Sequence, residues 1–271
     1  MSGWIANARM YAVTPQAEAA WQTLLEHVAR DAGVPLRYEL YPAPQPLESL
    51  WSRADLGAVF MCGFPVSLRL APVVPIAAPI PAAAWAGGRA VYRSNLIVRR
   101  DAPYRQLEDS FGARAGYTVA HSQSGFNAFR HHLQKFRGAE RRNLYASMTG
   151  NLVTARAVLE GVLAGRIDIG PLDAYWHLLL ERHAPELTAG VRVLATTELT
   201  PIPAFVAAAG APPGMIAALR AAFLAAASQP WFETVRDSLQ LEGFAAVTAV
   251  DYESYLEWDR EAKAAGYELP A

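Results

Sequence analysis

Along this chain, short apolar runs alternate with longer stretches in which apolar residues return at every third or fourth position. The short runs predict strands and the longer stretches predict helices. Ala17, Trp21, Leu24, Leu25, Val28 and Ala29 have helical spacing. Thr14-Pro15 supplies an N-cap and a first-turn proline, and Gly33-Val34-Pro35 stops that helix. Trp4–Val13 before it and Leu36–Leu40 after it read as strands.

Further strands are expected at Asp55–Met61, Val73–Pro79, Val91–Arg99, Arg114–Ala120, Arg166–Gly170, Val191–Thr196 and Ala204–Ala208. The prolines after Pro79 argue for a loop there. Helices are expected at Leu47–Trp51, Phe126–Phe136, Val153–Ala164, Tyr175–Arg182, Pro212–Ala227 and Tyr252–Ala264. Gly243–Val250 reads as loop or strand. Strands alternating with helices of about 10–15 residues predict βαβ units and mainly parallel sheets.

Composition narrows the classes. The chain has 271 residues, 52% hydrophobic and 18% charged, enough apolar material for a sizeable core. A net charge of -1, without any Lys/Arg-rich run, gives no footprint for nucleic acid. Cys62 is the only cysteine, so no intramolecular disulfide and no cysteine-based zinc site is expected. Met1–Tyr11 lacks the basic, apolar and small-residue order of a secretory signal. The chain therefore reads as cytoplasmic if Met1 is the native start, and as periplasmic if a signal was removed ahead of it. The longest apolar stretch, Ala71–Ala86, carries four prolines. It is shorter than the ~20 residues that cross a bilayer, so no membrane insertion is expected.

The sharpest local feature is Ser122-Gln123-Ser124-Gly125, between a strand and a helix. Two hydroxyls, a glycine and the N–H groups of a helix start form a ready anion cup, at the strand end where open α/β sheets bind ligands. The competing reading is that Ser122 or Ser124 is only an N-cap. His121, directly before the cup, is the histidine best placed for a ligand. His131 and His132 are adjacent on a helix and do not share a face, which argues against a metal site.

Other candidates sit at strand ends. Gly63 and Phe64 follow the Asp55–Met61 strand, Gly63 offering its N–H and Phe64 a ring; a plain turn with a buried phenylalanine is the alternative. Cys62 beside them reads as a small buried apolar residue, not a nucleophile. Tyr11 lies near the end of the first strand and is either a ligand contact or a core or surface tyrosine. Arg93 and Ser94 face opposite ways by strand alternation, so one of the two joins a site. Asp173 and Glu198 are carboxylates able to receive an amine or hydroxyl, and Asp173 alternatively caps the helix that follows it.

Four blocks carry a family resemblance: V-Y-R-S-N-L-I-V-R-R-D-A-P, S-Q-S-G-F-N-A-F-R, A-V-L-E-G-V-L-A-G-R-I-D-I-G-P-L-D-A-Y-W and V-R-V-L-A-T-T-E-L-T-P-I-P. In this order they resemble the phosphate/phosphonate-type substrate-binding proteins of ABC transporters, over roughly Asp55–Pro203. The resemblance implies an α/β, two-lobed type 2 periplasmic-binding-protein fold with two crossover segments and a ligand cleft between the lobes. Residues 1–91 and 199–271 would form lobe 1, and 92–198 lobe 2.

By position, Tyr92 matches an aromatic ligand contact of the first crossover. Ser122 and Ser124 match the hydroxyls of the family's S-T-S-G cup, Asp173 falls in a block lining the cleft, and Thr197 and Pro203 match the second crossover. Gln123 departs from the cup's middle hydroxyl, and Thr149-Gly150-Asn151 stands where the family often has a ligand-facing histidine. These departures make the cup weaker than the family's for a tetrahedral phosphonate, so the expected ligand is a small polar anion, phosphate- or phosphonate-like or another oxyanion such as a carboxylate or sulfonate.

The resemblance implies a small-molecule ligand, an ABC permease as partner, no cofactor and no catalysis. The candidate ligand set is Tyr11, Gly63, Phe64, Tyr92, Ser94, His121, Ser122, Gln123, Ser124, Gly125, Asp173 and Thr197. Two rivals stay open on the same fold. One is a cytoplasmic enzyme acting on a small carboxylic acid, similar to chorismate dehydratases, with Asp173 as its base. The other is a cytoplasmic ligand sensor.

Overall fold

A computed structural model describes residues 3–271; Met1, on which the localisation reading turns, lies outside the described residues. The chain runs β1 (Trp4–Asn7), α1 (Pro15–Ala32), β2 (Leu36–Tyr38), α2 (Leu47–Trp51), β3 (Leu56–Met61), α3 (Gly63–Ser67), β4 (Val73–Pro81) and β5 (Val91–Tyr92). It continues with β6 (Ser94–Arg99), β7 (Arg114–Gly116), α4 (Ala128–Gln134), β8 (Ser147–Thr149), α5 (Ala155–Leu163), β9 (Ile169–Asp173), α6 (Ala174–His183), α7 (Pro185–Thr188) and β10 (Val191–Thr196). It closes with β11 (Thr200–Pro201), β12 (Ala204–Ala208), α8 (Pro213–Ala225), α9 (Glu233–Leu239), β13 (Leu241–Ala246) and α10 (Ser254–Ala264).

Two compact units result. The first comprises the chain up to Tyr92 and Pro201–Glu253; the second comprises Arg93–Thr200 and Ser254–Ala271. The chain thus passes between units three times, not the two expected. The third passage corrects the sequence-based boundary, which put 254–271 in the first lobe. Burial decides it: Tyr255 and Asp259 bond to Asn127 and Arg130 of the second unit.

The first unit holds a sheet of order β13-β4-β12-β3-β1-β2. α1 starts as expected, with Thr14 Oγ1 accepting from Ala17 N–H and Gly33 ending it at φ 64°. Trp21 of α1 meets Phe60 at 5.1 Å, Phe60 stacks on Phe205 at 3.8 Å, and Phe205 lies 4.8 Å from Phe223 of α8. This aromatic column joins both sides of the chain break into one core. The first strand is shorter than expected, because a 3-10 turn at Arg9–Tyr11 replaces its end. Conversely, β4 runs on through the prolines that argued for a loop, although it has a partner on each side. Pro75, Pro79 and Pro81 have the same parity, so their missing donors fall on one side of the strand. Register shifts in the pairings with β12 and β13 absorb the rest.

The second unit holds a sheet of order β10-β6-β9-β7-β8. Its core gathers Leu96, Val98, Ala115, Phe129, Leu133 and Ile169. The expectation of mainly parallel sheets fails in both units. β12 runs antiparallel to β3 and β4, and β6 antiparallel to β9 and β10. These strands reach their sheet by passage from the other unit, so no crossover helix turns the chain back to parallel. β8 and α9 were not expected from sequence, and Arg166–Gly170 is displaced to β9, Ile169–Asp173.

Candidate functional site

Chemistry concentrates in the second unit. Among the described residues, Asn7 is the one buried polar or charged side chain of the first unit; Ser94, Thr118, Gln123, Ser124, Asn127, Arg130, Asp173, His177, Thr197 and Asp259 are all in the second. Buried polar groups are costly unless bonded, so their clustering calls for an explanation.

The cluster is built on the turn Gln123–Asn127 beyond β7. The turn is wider than an α-helix: Asn127 N–H donates to Ser122 O, five residues back, at 3.0 Å, and Ala128 N–H donates to Gln123 O. Such single π-turns recur at functional sites. Ser122 is the N-cap, its hydroxyl accepting from Gly125 N–H at 3.0 Å. The N–H groups of Gln123 and Ser124 are those a helix start leaves without an intrahelical acceptor. Both the cup reading and the N-cap reading of Ser122 therefore rest on the same geometry.

Three segments are laced together here. Thr118 N–H donates to Gly125 O, and Val153 N–H donates to Thr118 O. A Cβ on Gly125 would lie 2.0 Å from the Thr118 hydroxyl and 2.9 Å from that of Ser122, so only glycine fits. Val153 holds φ 69° and Asn151 φ 55°. A β-branched residue in that region is strained by about 1–3 kcal/mol, a cost that persists only where the surrounding structure over-determines the backbone. Immediately after it, Thr154 caps α5, accepting from Ala157 N–H.

Two buried polar atoms of this region have no hydrogen-bond partner among the described residues: Thr118 Oγ1 and Gln123 Nε2. They are the donors this site has to spare. No group of three or more His, Cys, Asp or Glu is arranged to hold a metal among the described residues.

Several predicted residues support the turn instead of presenting a free group. Ser94 is fully buried, its hydroxyl donating to Ser124 O at 2.7 Å and its N–H to Thr197 Oγ1 at 2.9 Å. Ser94 and Thr197 thus hold the cup from behind, because their polar atoms are already engaged. Asp173 sits opposite Ser94 in the β6–β9 register. Its carboxylate accepts from Tyr175 and Trp176 N–H, which makes it the N-cap of α6. That capping role leaves it poorly suited as a catalytic base. His121 is half-buried just ahead of the turn. Gln123 is fully buried, its Oε1 accepting from Asn127 Nδ2 at 2.9 Å.

The first unit contributes the other candidates. Tyr11 is a core tyrosine, edge-on to Phe60 at 4.9 Å, its carbonyl accepting from Trp21 Nε1. Gly63 and Phe64 open α3, a short helix where a turn was expected, and both are buried, as is Cys62. Tyr92 is buried at the end of that unit's first stretch. In the second unit, Glu198 is exposed and faces His131 at 4.0 Å.

Sequence reasoning missed Thr118, Asn127 and Arg130. Thr118 stands at the carboxyl end of β7, a position that flags ligand contacts in α/β sheets. Gln123, Asn127 and Arg130 follow one another at i, i+4 and i+7, a polar stripe on a single helical face.

Over residues 12–252 the chain matches the family of periplasmic substrate-binding proteins of ABC phosphonate transporters. The chain belongs to this family. The family is one of binding proteins and not of enzymes, which sets aside the dehydratase-like reading. No curated protein was found to match the chain.

Solved structures share the fold. A binding protein component of an ABC phosphonate transporter from Pseudomonas aeruginosa is 15% identical, with a TM-score of 0.79 over 97% of this chain and 87% of that one. A Prochlorococcus marinus protein in complex with methylphosphonate is 14% identical, with a TM-score of 0.76 over 96% of this chain and 98% of that one. A Xanthomonas citri protein bound to ATP is 19% identical, with a TM-score of 0.63 over 97% and 98%. The fold is that of the two-lobed periplasmic binding proteins.

Proposed function

We propose that this chain captures a small molecule with one oxyanionic end at the Ser122–Gly125 turn and delivers it to an ABC permease. The observation that carries this reading is the pair of buried, unpartnered polar atoms, Thr118 Oγ1 and Gln123 Nε2, beside a helix start with spare N–H groups. An acceptor-rich group satisfies all of them at once. The nearest buried cation, Arg130, is already paired with Asp259 at 2.5 Å. Recognition by dipoles and hydroxyls without a free guanidinium favours a singly charged carboxylate, sulfonate or phosphonate monoester over inorganic phosphate. Ser122, Gln123, Ser124, Gly125 and Thr118 make the contacts, with His121 at the edge; Ser94, Thr197 and Asp173 hold the scaffold. Delivery to a permease agrees with the family.

Titration calorimetry against methylphosphonate, phosphate, alkyl sulfonates and dicarboxylates tests the reading. One class should bind and be recovered unchanged, and Ser124→Ala should weaken it by about tenfold, the value of one lost hydrogen bond to a charged group. A protein that binds none of them, or binds equally well as Ser124→Ala, would sink the proposal.

A further inference from the structure

The C-terminal segment reaches the back of the oxyanion turn through an unbroken buried chain. Asp259 of α10, 7% exposed, pairs with Arg130, 2% exposed, at 2.5 Å. Arg130 Nη2 also donates to Asn127 Oδ1 at 3.0 Å, and Arg130 Nη1 to Glu268 O at 3.2 Å. Asn127 Nδ2 donates both to Tyr255 O at 3.1 Å and to Gln123 Oε1 at 2.9 Å. The N–H of the same Asn127 closes the wide turn on Ser122 O. One asparagine therefore fastens the turn, the Gln123 amide and α10 together. Beside this chain, His131 lies flat on Trp258 with ring centroids 4.0 Å apart.

We propose that the C-terminal segment Ser254–Ala271 is a positioning element for the oxyanion site, acting through Asp259, Arg130 and Asn127; this rests on the oxyanion reading above. A buried ion pair adds little net stability over apolar packing, and its best-attested use is to fix one arrangement. Here the arrangement fixed is a turn that α-helical hydrogen bonding would otherwise tighten. Tightening it would move Ser122 O off the Asn127 N–H and redirect the Gln123 and Ser124 N–H groups. The segment makes no ligand contact in this scheme; it sets where the donors point.

Amide hydrogen exchange on the full chain, without ligand, is the test. In wild-type protein under sub-denaturing urea, amides of 123–127 and of 254–264 should open together, with the same urea dependence. Asp259→Asn should speed exchange through 122–127 by about tenfold or more. Lys263→Ala, which removes only the exposed partner of Asp259 at 2.7 Å, should leave that segment unchanged. Separate openings in the wild type, or acceleration by Asp259→Asn confined to 254–271, would overturn the proposal. Should Asp259→Asn fail to fold, the wild-type urea series decides alone. Methylphosphonate titration then separates the two readings: Asp259→Asn with unchanged circular dichroism should bind about tenfold more weakly. A wild type that takes up no oxyanion breaks the functional reading, while the exchange result still decides the positioning role.

Discussion

The two units bury different things. The first is filled by an aromatic column through Trp21, Phe60, Phe205 and Phe223, and its one buried polar side chain among the described residues is Asn7. The second has an ordinary aliphatic core around Leu96 and Ile169, but also a buried polar layer running from Thr118 through Gln123 and Asn127 to Asp259. Apolar packing is non-directional and tolerant of small shifts. A hydrogen-bonded layer has fixed lengths and angles, and a missing partner costs the full desolvation of the group left behind. The lesson is a difference within one fold: one unit buries rings with almost no polar side chain among them, and the other buries a bonded polar layer beside its aliphatic core.

The sharpest way to break this comparison is at its extremes. Phe205→Ala should lose about 4 kcal/mol in urea unfolding, as large-to-small changes in packed cores do. Oxyanion affinity of the folded protein should then stay within about twofold, because distant sites act independently. A large affinity loss would show that the aromatic unit takes part in recognition.

Arg130→Met should cost about 3 kcal/mol, because it leaves the Asp259 carboxylate buried without its guanidinium. Burial raises the pKa of Asp259, but bonds from Arg130 and Lys263 outweigh that and hold it below its ordinary value near 3.8. Its contribution is therefore present above that value and lost as pH falls through the lower folded-state pKa. In Arg130→Met this acid-side loss should disappear, which a stability series below pH 3.8 would read.

Gly125→Ala should cost about 2 kcal/mol, since its Cβ overlaps the Thr118 hydroxyl and overpacked sites pay in that range. It should also impair oxyanion binding more than any equally destabilising change in the first unit. Equal impairment would erase the distinction between the units.

The smallest effect is one of pH. Burial lowers the pKa of His131, His132 and His177, all in the second unit, and takes His132 down to about 4. A histidine with a lowered folded-state pKa is protonated first in the unfolded chain. Stability is then full above its ordinary value of 6.5 and falls as pH drops toward 4. Hydrogen exchange in α4 and α6 should rise across that range before exchange in β3 and β12 does. Simultaneous rise in both units would mean that the histidines do not set the difference.

Helix α1 was legible down to its caps, because Thr14, Pro15 and Gly33 act on their own neighbours. The Ser122–Gly125 turn was legible for the same reason: a hydroxyl, a glycine and a helix start are local features. The end of β4 was not, because Pro81 argues for a loop until strands on both sides show where donors are dispensable. Nor was the role of Ser94, whose hydroxyl is spent on a carbonyl thirty residues away.

Spacing, caps and ordered motifs, all properties of neighbours along the chain, set the alternation of strands and helices, the family and the place of the Ser122–Gly125 turn. The tertiary structure alone decided which unit holds α10, which strands run antiparallel, and that Asp259 stands behind Gln123 through Arg130 and Asn127. Those facts join residues far apart in the chain, 129 positions for Arg130 and Asp259, where the energy lies in burial and hydrogen bonding and leaves no periodic trace in the sequence.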